Sequence, residues 1–215
     1  MYLSKLKLNT DCAQVRKDVG NPHSMHRTIM RAFPSPLPSD ERVLFRVESF
    51  ELGETPMVLV QSRTKPEWLQ VENKFAGYFG EHPQVKDLSG LRIKAGDVFR
   101  FRLRANPCKR VYYQSSGASQ RVSLFSEKDR REWLLRKAEA SGFSIDESRL
   151  LIRDAPYRLV FIHKEDKIEK ATFNMVDYDG ILEVKDAQKF LQSVSAGIGA
   201  AKGLGCGLLS FAQAY

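Results

Sequence analysis

Phe99-Arg100-Phe101-Arg102-Leu103-Arg104-Ala105 alternates strictly between apolar and basic side chains. A strand sends successive side chains to opposite faces, so this run is a strand with four apolar residues on one face and three guanidiniums on the other. The apolar face belongs to a core. Arginines two residues apart stand about 7 Å from one another, a spacing similar to that of successive phosphates along a nucleic-acid strand. No acidic residue interrupts them, and Lys109 and Arg110 extend the charge. Arg102, Arg104, Lys109 and Arg110 are therefore candidate polyanion contacts. The alternative is a solvated sheet face, which ordinarily mixes Lys, Glu, Thr and Arg.

Working outward, residues 2 to 8 read as an opening strand, and Asn21-Pro22 supplies an N-cap with proline at the first helical position. That helix runs through Met25, Ile29 and Ala32 and stops at Phe33-Pro34. Val43–Val47 and Met57–Gln61 are strand-like, Pro66 to Phe79 is helical or irregular, and Val98 to Ala105 ends at Asn106-Pro107. Strand, helix, strand, strand, helix, strand is the ferredoxin-like order. A second copy follows: a Ser126-capped helix ending at Gly142, strands over 143–152 and 157–163, strands about a turn at Asp177–Gly180, an Asp186-capped helix, and a last strand over 208–212. The expected fold is α+β, two tandem ferredoxin-like domains divided as 1–107 and 108–215, with a C-terminal glycine-rich loop over 197–207.

The chain of 215 residues carries a formal charge of +8. Residues 1–110 hold 19 basic and 12 acidic side chains, against 15 and 14 in the remainder. The excess suits a polyanion, and nucleic acid fits better than a membrane because the basic residues do not line one long amphipathic helix. Cys12, Cys108 and Cys206 are odd in number and widely spaced, which argues against a disulfide framework or a zinc site and fits a reducing cytosol. Lysines interrupt every apolar run near Met1, so no signal-peptide core is expected, and the most apolar window, around 196–212, is broken by Lys202 and its glycines, so no membrane span is expected.

Two regions carry chemistry. On the first helix His23 and His26 are about 60° apart in projection, with Arg27 and Arg31 on the same polar side. Histidine gives or takes a proton near neutrality, and arginine steadies charge on a phosphate. That set meets the needs of ribonuclease-type chemistry. The competing readings are ordinary surface histidines and a metal pair, the latter opposed by the charge of Arg27 and Arg31. The second region, Gly197 to Ser210, packs five glycines around Lys202. Bare N–H groups and one ammonium can cradle a phosphate, although no G-x-x-x-x-G-K-[ST] order is present; the alternative is a tight structural turn. His82 and His163 read as structural residues or nucleic-acid contacts.

Four segments together resemble the CasE-type CRISPR-associated endoribonucleases, which cut repeat RNA for the Cascade surveillance complex. They are Met1–Leu6, Asn21-Pro22 to Thr28, Phe101 to Arg110 with its Arg-Leu-Arg-Ala-Asn-Pro string, and the glycine tail from Gly197 to Ser210. The resemblance implies two RAMP-type ferredoxin-like domains and cytoplasmic, cofactor-free, metal-independent cleavage of precursor CRISPR RNA at the base of a repeat hairpin by 2′-OH attack. The product guide RNA would stay bound in Cascade, with the other Cascade subunits as partners in antiviral defence. His26 matches the family's catalytic histidine, and His23 stands where some relatives have tyrosine. Arg31 would assist, Arg27 would steady the RNA, Lys164 and Lys167 lie on a hairpin resembling one laid against the RNA stem, and Lys202 is a further RNA contact. The other function open to such a chain is that of a non-catalytic RNA-binding scaffold subunit of a CRISPR effector complex.

Overall fold

The computed structural model describes residues 1–48, 54–113, 117–155, 159–164 and 167–214. The chain runs β1 (Tyr2–Lys7), α1 (Ala13–Gly20), α2 (Pro22–Ile29), β2 (Leu44–Val47), β3 (Met57–Ser62), α3 (Leu69–Lys74), β4 (Gln84–Asp87) and β5 (Val98–Ala105). It continues through β6 (Cys108–Tyr113), β7 (Ala118–Ser123), α4 (Glu127–Ala140), β8 (Phe143–Ile145), β9 (Leu151–Asp154), β10 (Leu159–Lys164), β11 (Lys167–Thr172), β12 (Val176–Val184), α5 (Ala187–Ala196) and β13 (Leu209–Gln213). The expected mixed α+β class is observed, with antiparallel sheets.

Two larger sheets carry the architecture. The first has the order β2-β3-β1-β4; the second has β13-β5-β12-β8, with β9 also paired to β12. Each has its own core. Leu6, Met25, Ile29, Phe45, Val58, Val60 and Trp68 pack beneath the first, and Phe101, Leu103, Trp133, Leu134, Tyr178, Phe190 and Val194 beneath the second. The helices begin at the side chains expected of caps: Asn21 Oδ1 accepts from His23 N at 3.2 Å, Ser126 Oγ from Asp129 N at 3.0 Å, and Asp186 Oδ1 from Lys189 N at 3.0 Å.

Several expectations are corrected. Strand β5 was expected to close the first unit, yet it pairs with β12 and β13 of the second sheet. The strand that closes the first sheet is β4, an edge strand whose four residues are all exposed and which pairs with β1. Asp177–Gly180 is no turn but the middle of β12. The 143–152 strand is split into β8 and β9 by a 3₁₀ turn over Glu147–Arg149.

The largest correction concerns the arginine row. Asp177 and Asp179 on β12 are the register partners of Arg104 and Arg102. Arg104 is 2% exposed, donates from Nε and Nη2 to the two oxygens of Asp177 at 2.7 and 2.8 Å, and reaches the Val47 carbonyl at 2.9 Å. Arg102 donates to Asp179 at 2.6 Å and to Glu48 at 3.0 Å. This face is the joint between the two sheets. Arg46 of β2, also 2% exposed, completes it with bonds to Glu48, the Arg102 and Leu208 carbonyls and Ser210 Oγ. Buried guanidiniums need such full partnering because their desolvation is costly. Arg104 is thus spent on carboxylates inside the protein, whereas Arg102 holds Asp179 and Glu48 with 40% of its side chain still exposed.

Removing one member of a buried pair strands the other charge. Arg104→Ala should lower the unfolding free energy by about 3–5 kcal/mol, measured by urea denaturation; a loss below about 1 kcal/mol would mean that the joint behaves like an exposed ion pair.

Candidate active site

Helix α2 brings the histidines to the meeting place of the two units. Its buried side, Pro22, Met25, Thr28 and Ile29, docks on the first core. Beneath it, buried Asp18 accepts from Ser24 Oγ at 2.6 Å, Tyr78 OH at 2.8 Å and Gln14 Nε2 at 2.8 Å, which fixes α2 against α1. The turn Lys202–Leu204 and strand β10 lie alongside α2.

His26 points toward the glycine loop. Its ring stacks on Phe45 of β2, with centroids 6.1 Å apart and planes 15° from parallel. A Cβ placed on Gly203 would meet His26 Nε2 at 3.5 Å, so the bare backbone of the loop lies over the imidazole. His26 Nδ1 is buried and makes no hydrogen bond. Burial, and secondarily the charge of neighbouring His23, pushes the His26 pKa below its ordinary value. The neutral imidazole is thus the form held at neutral pH, and a neutral imidazole accepts a proton.

On the adjoining side His23, Arg27 and Arg31 line a pocket of about 310 Å³ with Lys17, Asn21 and Phe75. The Arg31 guanidinium sits 5.7 Å above the Phe75 ring, an arrangement that orients it without neutralising it. The expected four residues are therefore together, His23, His26 and Arg27 on α2 and Arg31 on the 3₁₀ turn Met30–Ala32 that follows it, with His26 facing the loop and the other three facing this pocket.

Lys202 opens onto a second cavity, a groove of about 760 Å³ lined by Lys109, Arg110, Arg121, Arg136, Lys137 and Lys202 together with Trp133 and the loop glycines. Among the described residues six cations and no carboxylate line it. Partial burial and the nearby charges of Arg42 and Lys137 push the Lys202 pKa down, which marks a place where an anion is electrostatically favoured. Arg110 and Arg121 are direct register partners across β6 and β7, and like charges held opposite one another cost stability unless an anion meets them. Lys109 and Arg110, read as extending the arginine strand, and Lys202, read as a separate loop contact, thus line one groove. Arg121 stands alone in an uncharged stretch and Arg136-Lys137 sit among the mixed charges of α4, so no local pattern marks them and only the fold collects them. Lys164 and Lys167 are register partners at the end of the β10–β11 ladder; their side chains lie outside the described part of the structure. His82 lines a separate pocket with Trp68 and Pro83.

The glycine loop resolves as a packing element. Gly197, Gly199, Gly205 and Gly207 have φ of 77°, 87°, 83° and 91°, which favours glycine, and added Cβ atoms there would crowd Leu44, Trp133, Phe45 and the Ile198 carbonyl. Among the described residues no group of three or more His, Cys, Asp or Glu is placed to hold a metal ion, and no helix is long and apolar enough to cross a membrane.

The family model described as "CRISPR associated protein" matches residues 1–213. The CRISPR-associated endoribonuclease Cse3 of Thermus thermophilus is 35% identical over 221 residues, covering 99% of this chain and all of that protein. This chain belongs to the Cse3/CasE family. The CasE subunit of the Escherichia coli Cascade system, a further family member, is 30% identical over 99% of both chains. In three dimensions the chain resembles Thermus thermophilus Cse3 bound to an RNA representing a pre-cleavage complex, with a TM-score of 0.81 and 33% identity over 98% of each chain. It also resembles Escherichia coli Cas6e, with a TM-score of 0.70 and 28% identity over the full length of both.

The setting of His26 has a measurable sign. Its imidazole should protonate with a midpoint below 6.5 in an NMR titration. The folded protein then binds this proton less readily than the unfolded chain, so stability should fall as pH drops from about 6.5 toward the folded value. A midpoint above 6.5 would contradict the buried, cation-flanked site.

Proposed function

We propose that this chain is a metal-independent endoribonuclease that binds the stem-loop of CRISPR repeat RNA and cuts precursor CRISPR RNA at the base of the hairpin. It then stays with the guide RNA and the other subunits of a Cascade complex in the cytoplasm, for antiviral defence. The observation that carries this reading is His26, held neutral and desolvated where α2 meets the glycine loop, between a pocket of arginines and a six-cation groove. That Cse3 of Thermus thermophilus is a CRISPR-associated endoribonuclease, with a structure bound to RNA, supports the substrate class. Two tandem ferredoxin-like units are the finer description of the fold. The strand order β2-β3-β1-β4, repeated as β9/β8-β12-β5-β13, supports it.

In the proposed step neutral His26 takes the proton of the ribose 2′-OH, and that oxygen attacks the adjacent phosphorus. The P–O2′ bond forms and the P–O5′ bond breaks. Protonated His23 gives its proton to the leaving 5′-oxygen, leaving a 2′,3′-cyclic phosphate and a 5′-hydroxyl. Arg27 and Arg31 stand beside His23 to hold the phosphate as charge builds on it. Lys109, Arg110, Arg121, Arg136, Lys137 and Lys202 bind the RNA backbone in the groove, and Lys164 and Lys167 at the hairpin tip reach the stem. RNA hairpins are read mainly through shape and backbone, which suits a groove lined by cations.

With the repeat RNA of its own host and excess EDTA, the wild-type protein should cut once and leave a cyclic or 3′-phosphate. His26→Ala should slow cleavage by at least about 10²-fold while keeping hairpin affinity, and 2′-deoxyribose at the cut should block cleavage of a bound substrate. Tight binding without any cleavage by the wild type would instead make the chain a non-catalytic RNA-holding subunit.

A further inference from the structure

Helix α1 has no part in the step proposed above, yet it supplies a wall of the pocket that His23 faces. Gln14 and Lys17 of α1 line that pocket beside His23, Ser24 and Phe75. The wall is set before any ligand arrives. Asp18, wholly buried, accepts from Gln14 Nε2 at 2.8 Å and from Ser24 Oγ at 2.6 Å, and Gln14 Nε2 also lies 3.4 Å from Thr28 Oγ1. Lys17, in the last turn of α1, is exposed and adds a third cation to Arg27 and Arg31. Among the described residues no carboxylate lines the pocket. At about 310 Å³ it stands at the small end of ligand sites, which run from about 300 to 1,000 Å³. Such a volume suits one nucleoside and not a stacked run or a duplex.

We infer that the pocket between α1 and α2 is the subsite for the nucleotide immediately 3′ of the cut, with Gln14, Ser24 and Phe75 taking its sugar and base and Lys17 meeting the phosphate that follows it. The inference rests on the reading of His23 as the acid. A group that protonates the leaving 5′-oxygen stands within about 2.6–3.2 Å of it, and that oxygen belongs to the first downstream nucleotide. This nucleotide therefore lies beside His23, where the pocket is. The lining matches it. The Phe75 ring with the Arg31 guanidinium 5.7 Å above it supplies the flat apolar surface, and Gln14 and Ser24 the fixed polar groups, with which unpaired bases are recognised. Arg27 and Arg31 serve the scissile phosphate, which leaves Lys17 for the next one. The cation groove beyond the glycine loop holds the retained hairpin, so the two sides of the cut are bound at separate places. Contacts to the departing strand orient the P–O5′ bond, and their effect belongs to the chemical step more than to affinity.

The test is single-turnover cleavage by the full-length protein of three repeat hairpin RNAs: one running several nucleotides past the cut, one with an abasic ribose as the first downstream nucleotide, and one ending at that nucleotide without the phosphate that follows. Affinity is measured in parallel on the same RNAs carrying 2′-deoxyribose at the cut. The abasic RNA should bind within about twofold of the intact one and be cut about tenfold more slowly. Lys17→Ala should slow cleavage of the long RNA about threefold to tenfold and cost nothing further on the RNA that lacks the next phosphate, because cation and phosphate act as one pair. The RNA changes leave the protein untouched, so folding does not enter the first comparison, and thermal melting checks the variant in the second. Equal rates on intact and abasic RNA would overturn the inference, as would a cost of Lys17→Ala that is the same with and without the phosphate. If the intact RNA were bound but not cut, the proposed function would fall and the subsite with it; cleavage that ignores the downstream nucleotide would overturn the subsite alone.

Discussion

The joint made by Arg46, Arg102 and Arg104 is the constraint on which the rest depends. It ties β2 of the first sheet to β5, β12 and the start of β13 in the second, through Glu48, Asp177, Asp179 and the carbonyls of Val47, Arg102 and Leu208. Because Arg46 grips the residues around Leu208 and Ser210, the glycine loop that precedes them is set down on β2. Leu44 then packs against Gly197 and Phe45 against Gly205. Phe45 also supports the ring of His26. The imidazole is thus built from both units at once, and its position depends on ion pairs that never touch it.

This arrangement separates two electrostatic tasks. Around His26, burial and a neighbouring histidine disfavour positive charge and keep a proton acceptor available. Beyond the loop, six cations held in a groove by β6, β7, α4 and Lys202 do the opposite work of attracting an extended anion. The glycine loop is the partition between them: Lys202 faces the groove while Gly203 faces the histidine. A side chain bulky enough to fill the partition would close one task off from the other.

Much of this was legible in the residues. Asn21-Pro22 announced α2, the 3.6-residue period placed His23, His26 and Arg27 on it, although Arg31 falls in the 3₁₀ turn after its end, and the caps at Ser126 and Asp186 marked α4 and α5. The alternation at Val98–Ala105 was a true strand, but its charged face was misjudged because Asp177 and Asp179 lie more than 70 residues away, where no local pattern shows them. The closing strand of the first sheet was missed for a related reason: β4 is wholly exposed and carries no apolar alternation, so the conspicuous β5 took its place. Helix α1 went unread because only Val15 and Asp18 of its eight residues are buried. The groove cations come from β6, β7, α4 and the final loop, and such a set exists only after folding.

The measurement that addresses the central claim most directly is the single-turnover rate of repeat-RNA cleavage as a function of pH, in chelator, for the intact protein. If neutral His26 is the proton acceptor, the rate should fall on the acid side with a midpoint below 6.5 that coincides with the titration of the His26 imidazole. A rate that climbs as pH falls through the same range would contradict the account, because the protonated imidazole would then be the working form.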